Sequence, residues 1–239
     1  DSGKLIWIKN HKIPLKSNIK IFDNQIFLID QDNQIFCLNV KDGSKIWNIF
    51  SISSFIKSQD LMSLAVSRKG NLVAVNSSAD LFNINVDNGN VYWATNTSAS
   101  LYTDVADFYK SSEIVISGEE IIFSSATSIF SYDLKTGFVN WEIEASSVAA
   151  PIIDGKHIFF VTENGYFIII DKVTGKIISS NNILKILKKK KQKTKITGFI
   201  MGSGKLYSVT LNGNLIISSA ASGKAEYFKK IGDPISTAP

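Results

Sequence analysis

The stretch "KDGSKIW", Lys41–Trp47, is a turn that runs into a strand, and it recurs along the chain. The four tryptophans, Trp7, Trp47, Trp93 and Trp141, each stand four residues after a glycine: Gly3, Gly43, Gly89 and Gly137. Taking the glycine as origin extends the series to six: "DSGKLIW", "KDGSKIW", "DNGNVYW", "KTGFVNW", "VTGKIIS" and "ASGKAEY". The last two keep Gly175 and Gly223 and replace the indole by Ser179 and Tyr227. Successive glycines are 38 to 48 residues apart, a period that marks a repeat architecture.

A second turn fixes the register. Asp23-Asn24, Lys69-Gly70, Ser117-Gly118, Asp154-Gly155 and Ser203-Gly204 each end 19 or 20 residues before the next motif glycine. A third turn, Asp32-Asn33, Asn164-Gly165 or Asn212-Gly213, falls about ten residues before that glycine and is degenerate in "SADL" and "ATSI"; Asn-Gly is the strongest short hairpin signal. Between the turns lie strand-length runs rich in Ile, Val and Phe, such as "QIFLID", "NLVAVN", "HIFFVT" and "NLIISS". No comparable stretch carries a capped 3.6-residue period, so little helix is expected.

Each repeat therefore reads as four strands: an inner one of variable length, two joined by tight turns, and an outer one bearing the tryptophan. Four-stranded units of this length are propeller blades. The expectation is an all-β propeller of antiparallel blades in one domain, 1–239. Repeats run approximately over 8–47, 48–93, 94–141, 142–179 and 180–227, with partial blades at 1–7 and 228–239. The glycine supplies a left-handed turn conformation. The indoles, pointing into the gaps between blades, are packing groups rather than a ligand cage.

Composition agrees with a folded chain: 44% hydrophobic and 20% charged residues over 239 positions. No apolar run reaches the roughly 20 residues of a membrane-spanning helix. The net charge of +5 is concentrated in "KILKKKKQKTK", Lys185–Lys195. Such a run can attract nucleic acid or anionic lipid, but no aromatic residues interleave it as a stacking platform requires; it reads as a solvated loop, with no nucleic-acid partner. The one cysteine, Cys37, alternates with apolar neighbours and reads as a small buried strand residue.

The pattern L-D-x-x-T-G-x-x-x-W, clearest in "SYDLKTGFVNW" and "IIDKVTGKIIS", resembles the PQQ-like repeat. "YTDVADFYKSSEIVISGEEIIFSS", Tyr102–Ser125, and the terminal "GDPISTAP" resemble segments of the BamB family in particular. The resemblance implies an arc of about five complete blades from an eight-bladed ring, lacking blades at both ends. It implies a non-enzymatic scaffold at the periplasmic face of the bacterial outer membrane. Its lipid anchor would be an N-terminal cysteine that this sequence does not contain. The implied partners are the barrel-inserting subunit of the outer-membrane assembly machinery and unfolded barrel precursors. The family's acidic partner-binding motif maps onto Asp104 and, across a one-residue insertion, Asp107. A second family segment falls near "SSFIKSQDLM", with Ile56 and Lys57 as its apolar and basic members.

No catalytic residue, cofactor or metal is expected. His11 and His157 share no ligand spacing with Cys37, and both read as plain surface residues. "GSGK", Gly202–Lys205, has Phe199 where a phosphate loop needs its first glycine and Leu206 where it needs Ser or Thr. "NVDNGN" places Val86 at a calcium-ligand position. Two alternatives stand beside the scaffold reading. One is a PQQ-dependent dehydrogenase-type propeller; its family's disulfide of adjacent cysteines cannot form with one cysteine. The other is a protein-interaction propeller with an unidentified partner, recognised through connections such as Ser51–Ser63, Thr95–Ser112 and Ile183–Thr197.

Overall fold

A computed structural model of the chain describes residues 3–51, 61–97, 110–187 and 193–233. Among the described residues twenty strands form five four-stranded sheets, each hydrogen-bonded in sequence order. The first holds β1 (Lys20–Phe22), β2 (Gln25–Ile29), β3 (Ile35–Asn39) and β4 (Lys45–Ile49). The second holds β5 (Ser63–Val66), β6 (Asn71–Val75), β7 (Asp80–Asn85) and β8 (Val91–Asn96). The third holds β9 (Val115–Ser117), β10 (Glu120–Ser124), β11 (Ser128–Asp133) and β12 (Val139–Glu144). The fourth holds β13 (Ile152–Asp154), β14 (His157–Val161), β15 (Tyr166–Asp171) and β16 (Ile177–Asn182), followed by a 3₁₀ turn over Ile183–Ile186. The fifth holds β17 (Ile196–Gly202), β18 (Lys205–Thr210), β19 (Asn214–Ser219) and β20 (Ala225–Lys230).

The chain divides into two compact units, residues 1–121 with 133–138, and residues 122–132 with 139–239; the third sheet contributes to both. In the first unit the core lies between the first and second sheets, and β6 is covered on both faces, Leu72–Val75 all being buried. Phe27, Ile29, Ile35, Cys37 and Trp47 share one face of the first sheet and meet Leu64, Leu72, Ala74 and Ile84 of the second. In the second unit β14 and β15 are covered on both faces: Ile158–Val161 and Phe167–Ile170 are all buried. That is why these strands read as unbroken apolar runs instead of alternating ones. Each such side chain taken fully out of water contributes roughly 1.5–3 kcal/mol.

Two turn devices repeat through all five sheets. At the end of each third strand, the residues Asn39, Asn85, Asp133, Asp171 and Ser219 accept from the motif glycine's N–H through their own carbonyls, at 2.8–3.0 Å. Their side chains also accept backbone N–H groups of the turn. For Asp133 and Asp171 the threonine hydroxyls of Thr136 and Thr174 add a third kind of bond, at 2.8 and 2.7 Å. These bonds hold both carboxyls below the usual carboxylate range, the threonine contacts being the largest cause. The second device closes the turn between second and third strands. The side chains of Asp30, Asn76, Ser125, Thr162 and Thr210 accept from backbone N–H groups across it. The turn in "SADL" is degenerate in sequence only: Ala79 holds a left-handed φ of 65° where Asn33 has 62°.

A third regularity has no sequence signature. The pairing of third with fourth strand slips by one residue in all five sheets, after Cys37↔Trp47, Asn83↔Trp93, Ser131↔Trp141, Ile169↔Ser179 and Ile217↔Tyr227. The bulged residues are Ile46, Tyr92, Asn140, Ile178 and Glu226. A bulge bends the strand and re-aims the next side chain, here the one at the tryptophan position.

Candidate interaction surface

The re-aimed indoles close on the following repeat. Trp7 Nε1 donates to the Val40 carbonyl (2.7 Å), Trp47 to Val86 (2.8 Å), Trp93 to Leu134 (2.9 Å) and Trp141 to Lys172 (2.9 Å). In each case the acceptor lies three residues before a motif glycine, and the ring lies on that glycine. A Cβ on Gly89 would stand 2.8 Å from Trp47 Cδ2; on Gly43, Gly137 and Gly175 it would meet Trp7, Trp93 and Trp141 at 2.6–2.8 Å. The motif glycine is thus required twice, by its positive φ (74° at Gly89) and by the ring packed against it. Gly223 faces Ser179 and Asn181 instead, and Asn181 Nδ2 donates to the Ser222 carbonyl at 3.2 Å. Tyr227 is half exposed. Gly3 has a φ of 65° and no neighbouring group against it.

The clasped glycines lie at the turns between third and fourth strands, and the connections depart from the other ends of the fourth strands. Asp104 and Asp107 fall within 98–109, and Ile56 and Lys57 within 52–60; all four lie outside the described residues. The points where both segments leave and return are described, and all belong to the first unit. Ser51 Oγ donates to the Asn33 carbonyl (2.9 Å) and accepts from Asn76 Nδ2 (3.0 Å). Thr97 donates to the Ala79 carbonyl through its N–H (2.8 Å) and its hydroxyl (3.0 Å). Asn33 and Asn76 are both buried, and Asn33 Oδ1 also accepts from Ser77 Oγ (2.9 Å). One polar network on adjacent turns therefore anchors the departure of both segments. They return at Met62, whose N–H donates to the Lys16 carbonyl (2.7 Å), and at Glu113, which accepts from Asn18 Nδ2 (2.7 Å). Beside the departure points, Phe50 is 73% exposed and borders a groove of about 320 Å³ with Asp80, Phe82 and Asn96.

A second apolar surface lies at the start of the chain. Leu5, Ile6 and Ile8 are 76%, 82% and 84% exposed. The segment carries Trp7 but pairs with no strand among the described residues. Behind it, the second face of the first sheet opens a cavity of about 470 Å³ lined by Trp7, His11, Ile26, Leu28, Phe36 and Leu38 among others.

The remaining chemistry-bearing residues have structural roles. His11 is not a plain surface residue: its ring packs edge-on against Phe36 at 4.8 Å and its Nε2 lies 3.1 Å from the fully buried Asp30 carboxylate. Nothing in the local sequence signals that pair, because the two residues are 19 apart and Asp30 reads as a turn former. His157 is an exposed strand residue at the edge of β14. Burial pushes the Cys37 thiol up to about 12. Among the described residues no group of three or more His, Cys, Asp or Glu side chains is placed to hold a metal ion.

The family model described as outer membrane protein assembly factor BamB matches residues 1–181. The chain belongs to the BamB family. It is similar to the outer membrane protein assembly factor BamB of Moranella endobia (strain PCIT), at 19% identity over 253 residues; the match spans 96% of this chain and 60% of that relative. Among solved structures, BamB from Moraxella catarrhalis superposes with a TM-score of 0.81 at 12% identity, over 99% of this chain and 70% of that one. Quinohemoprotein alcohol dehydrogenase from Comamonas testosteroni superposes with a TM-score of 0.70, also at 12% identity, over 92% of this chain and 43% of the enzyme. Both likenesses concern the fold: these are β-propeller sheets of the PQQ-repeat type, as the sequence pattern implied. BamB and a quinoprotein enzyme share that fold, so function has to be argued from sites.

Proposed function

We propose that this chain is part of a non-catalytic scaffold for outer-membrane protein assembly, acting at the periplasmic face of the outer membrane. It binds the barrel-inserting subunit of the assembly machinery through segments 52–60 and 98–109, with Asp104, Asp107, Ile56 and Lys57 making the contact. The observation that carries this reading is the shared anchorage of Ser51 and Thr97 on the Asn33–Asn76–Ala79 turns. The two segments that resemble the family's binding motifs depart from one rigid surface, where an acidic and a mixed apolar-basic contact can engage one partner. Unfolded barrel precursors are held separately, by addition of an extended segment to an open strand edge. The family match over residues 1–181 supports the assembly role. Against a dehydrogenase stands the single cysteine, which cannot form a disulfide of adjacent cysteines.

The test is co-purification with the barrel-inserting subunit. Asp104→Ala with Asp107→Ala is expected to weaken capture without lowering the unfolding temperature, and Ile56→Ala with Lys57→Ala to do the same. Undiminished capture by both double variants would remove the site.

A further inference from the structure

We propose that His11 is a positioning residue for segment 52–60: paired with Asp30, it locks together the two elements that hold that segment's ends. The consequence for capture of the barrel-inserting subunit rests on the binding role proposed above. The departure, Ser51, is tied to the turn 30–34, because its Oγ donates to the Asn33 carbonyl (2.9 Å). The return, Met62, is tied to residues 14–17. Its N–H donates to the Lys16 carbonyl (2.7 Å), and it bridges Ser17 in parallel. Residues 14–17 in turn lie along the end of β2, with Leu15 opposite Asp30 in an antiparallel bridge. The Gln31 N–H donates to the Pro14 carbonyl (2.9 Å) and the Lys16 N–H to the Ile29 carbonyl (2.8 Å). His11 stands at the head of this strip, and its Nε2 lies 3.1 Å from Asp30 Oδ2.

An acid is not required to close that turn. In the other four sheets the same task falls to neutral side chains, Asn76, Ser125, Thr162 and Thr210. Asn76 accepts from the N–H groups two and four residues on, those of Ser78 and Asp80. Asp30 Oδ1 accepts at the same offsets, from Asp32 (2.9 Å) and Gln34 (3.0 Å). The first sheet therefore carries a carboxylate where an amide would serve, and that carboxylate is fully buried. A buried charge is costly unless it is paired. The basic group in contact with it among the described residues is His11. The imidazole is 35% exposed, yet its ring is braced edge-on against Phe36 at 4.8 Å. A buried pair of this kind adds little net stability and instead selects one arrangement of the groups it joins. Here it selects the register of 14–17 on the turn 30–34, and so the spacing of Ser51 and Met62.

The test is amide hydrogen exchange of the chain, read at Gln34 and Met62. The control is Tyr166, whose N–H donates to Thr162 Oγ1 (3.0 Å) in the equivalent turn of the fourth sheet. His11→Ala should speed exchange at Gln34 and Met62 at least about tenfold, the factor carried by one lost hydrogen bond to a charged group. Tyr166 should not change. His11→Gln, whose side-chain amide can donate to Asp30, should restore most of the protection. In an Asp30→Asn background His11→Ala should have little further effect, because no buried charge is left unpaired. Capture of the barrel-inserting subunit should fall in His11→Ala and recover in His11→Gln. Unchanged exchange at Met62 in His11→Ala, an equal rise at Tyr166, or no rescue by His11→Gln overturns the proposal. Capture lost in Ile56→Ala with Lys57→Ala but kept in His11→Ala also overturns it, and leaves the binding reading standing. The expected exchange with capture undiminished in every variant supports the positioning and removes the binding reading instead.

Discussion

Gly89→Ala tests the clasp between consecutive repeats. Gly89 has a φ of 74°, so any L-residue there bears the left-handed penalty of roughly 1–2 kcal/mol. Its Cβ would also lie 2.8 Å from Trp47 Cδ2 and 3.0 Å from Cε3. The indole has little room to yield, since it is 9% exposed and tethered by its Nε1 bond to the Val86 carbonyl. Forcing a methyl into such a contact adds about 1–3 kcal/mol, for a total of about 2–5 kcal/mol. Gly118 is the internal control: its φ is 67° but nothing lies within 4 Å of its Cβ position. Gly118→Ala should therefore cost only the backbone penalty. The assay is urea unfolding of Gly89→Ala, Gly118→Ala, Trp47→Ala and the Trp47/Gly89 double variant, followed by circular dichroism. Trp47→Ala alone should cost about 3–5 kcal/mol. With the ring gone, Gly89→Ala should fall to the Gly118 value, a coupling of at least about 1 kcal/mol. Equal effects of Gly89→Ala and Gly118→Ala, or additive behaviour in the cycle, would refute the clasp.

The fold was largely legible because its marks are local. Each turn needs particular residues at fixed offsets, and the glycine-to-tryptophan spacing of four survives across repeats. What the glycine touches was not legible. The ring on Gly89 comes from Trp47, 42 positions earlier, and that contact exists only once two sheets are stacked. The bulge before each tryptophan was equally hidden, since a slipped register is a property of pairing and leaves no residue type behind. His11 failed for a related reason: a half-exposed histidine beside a buried Asp30 is defined by packing, and its loop sequence "KNHKIPL" is unremarkable. The expected partner residues were legible only through resemblance. Their surroundings became interpretable when Ser51 and Thr97 proved to be tied to neighbouring turns.

Other outcomes follow from the same geometry. Gly223→Ala should be milder than Gly89→Ala, because the atoms facing its Cβ are the ends of the Ser179 and Asn181 side chains, which can rotate away; matched unfolding curves check this. Cys37 should resist thiol reagents at pH 8 in the folded chain and react once urea unfolds it, because burial lifts its pKa to about 12; fast labelling of the native protein would contradict its burial. Asp133 and Asp171 are depressed in the folded state, so their stabilisation is present above the unfolded carboxyl pKa of about 4 and is lost as pH falls through the lower folded value. Replacing both by Asn, the residue found at the equivalent positions 39 and 85, should flatten the acid limb of the stability curve. An unchanged slope would assign acid sensitivity to other groups.

The scaffold reading is tested most directly by photo-crosslinking in cells. A photoreactive residue is placed at position 104 or position 56, with position 224 on the turn before β20 as control. The prediction is a covalent adduct with the barrel-inserting subunit from 104 and 56, and none from 224. Absence of that adduct at both positions, or equal yield at 224, would contradict binding through these two segments.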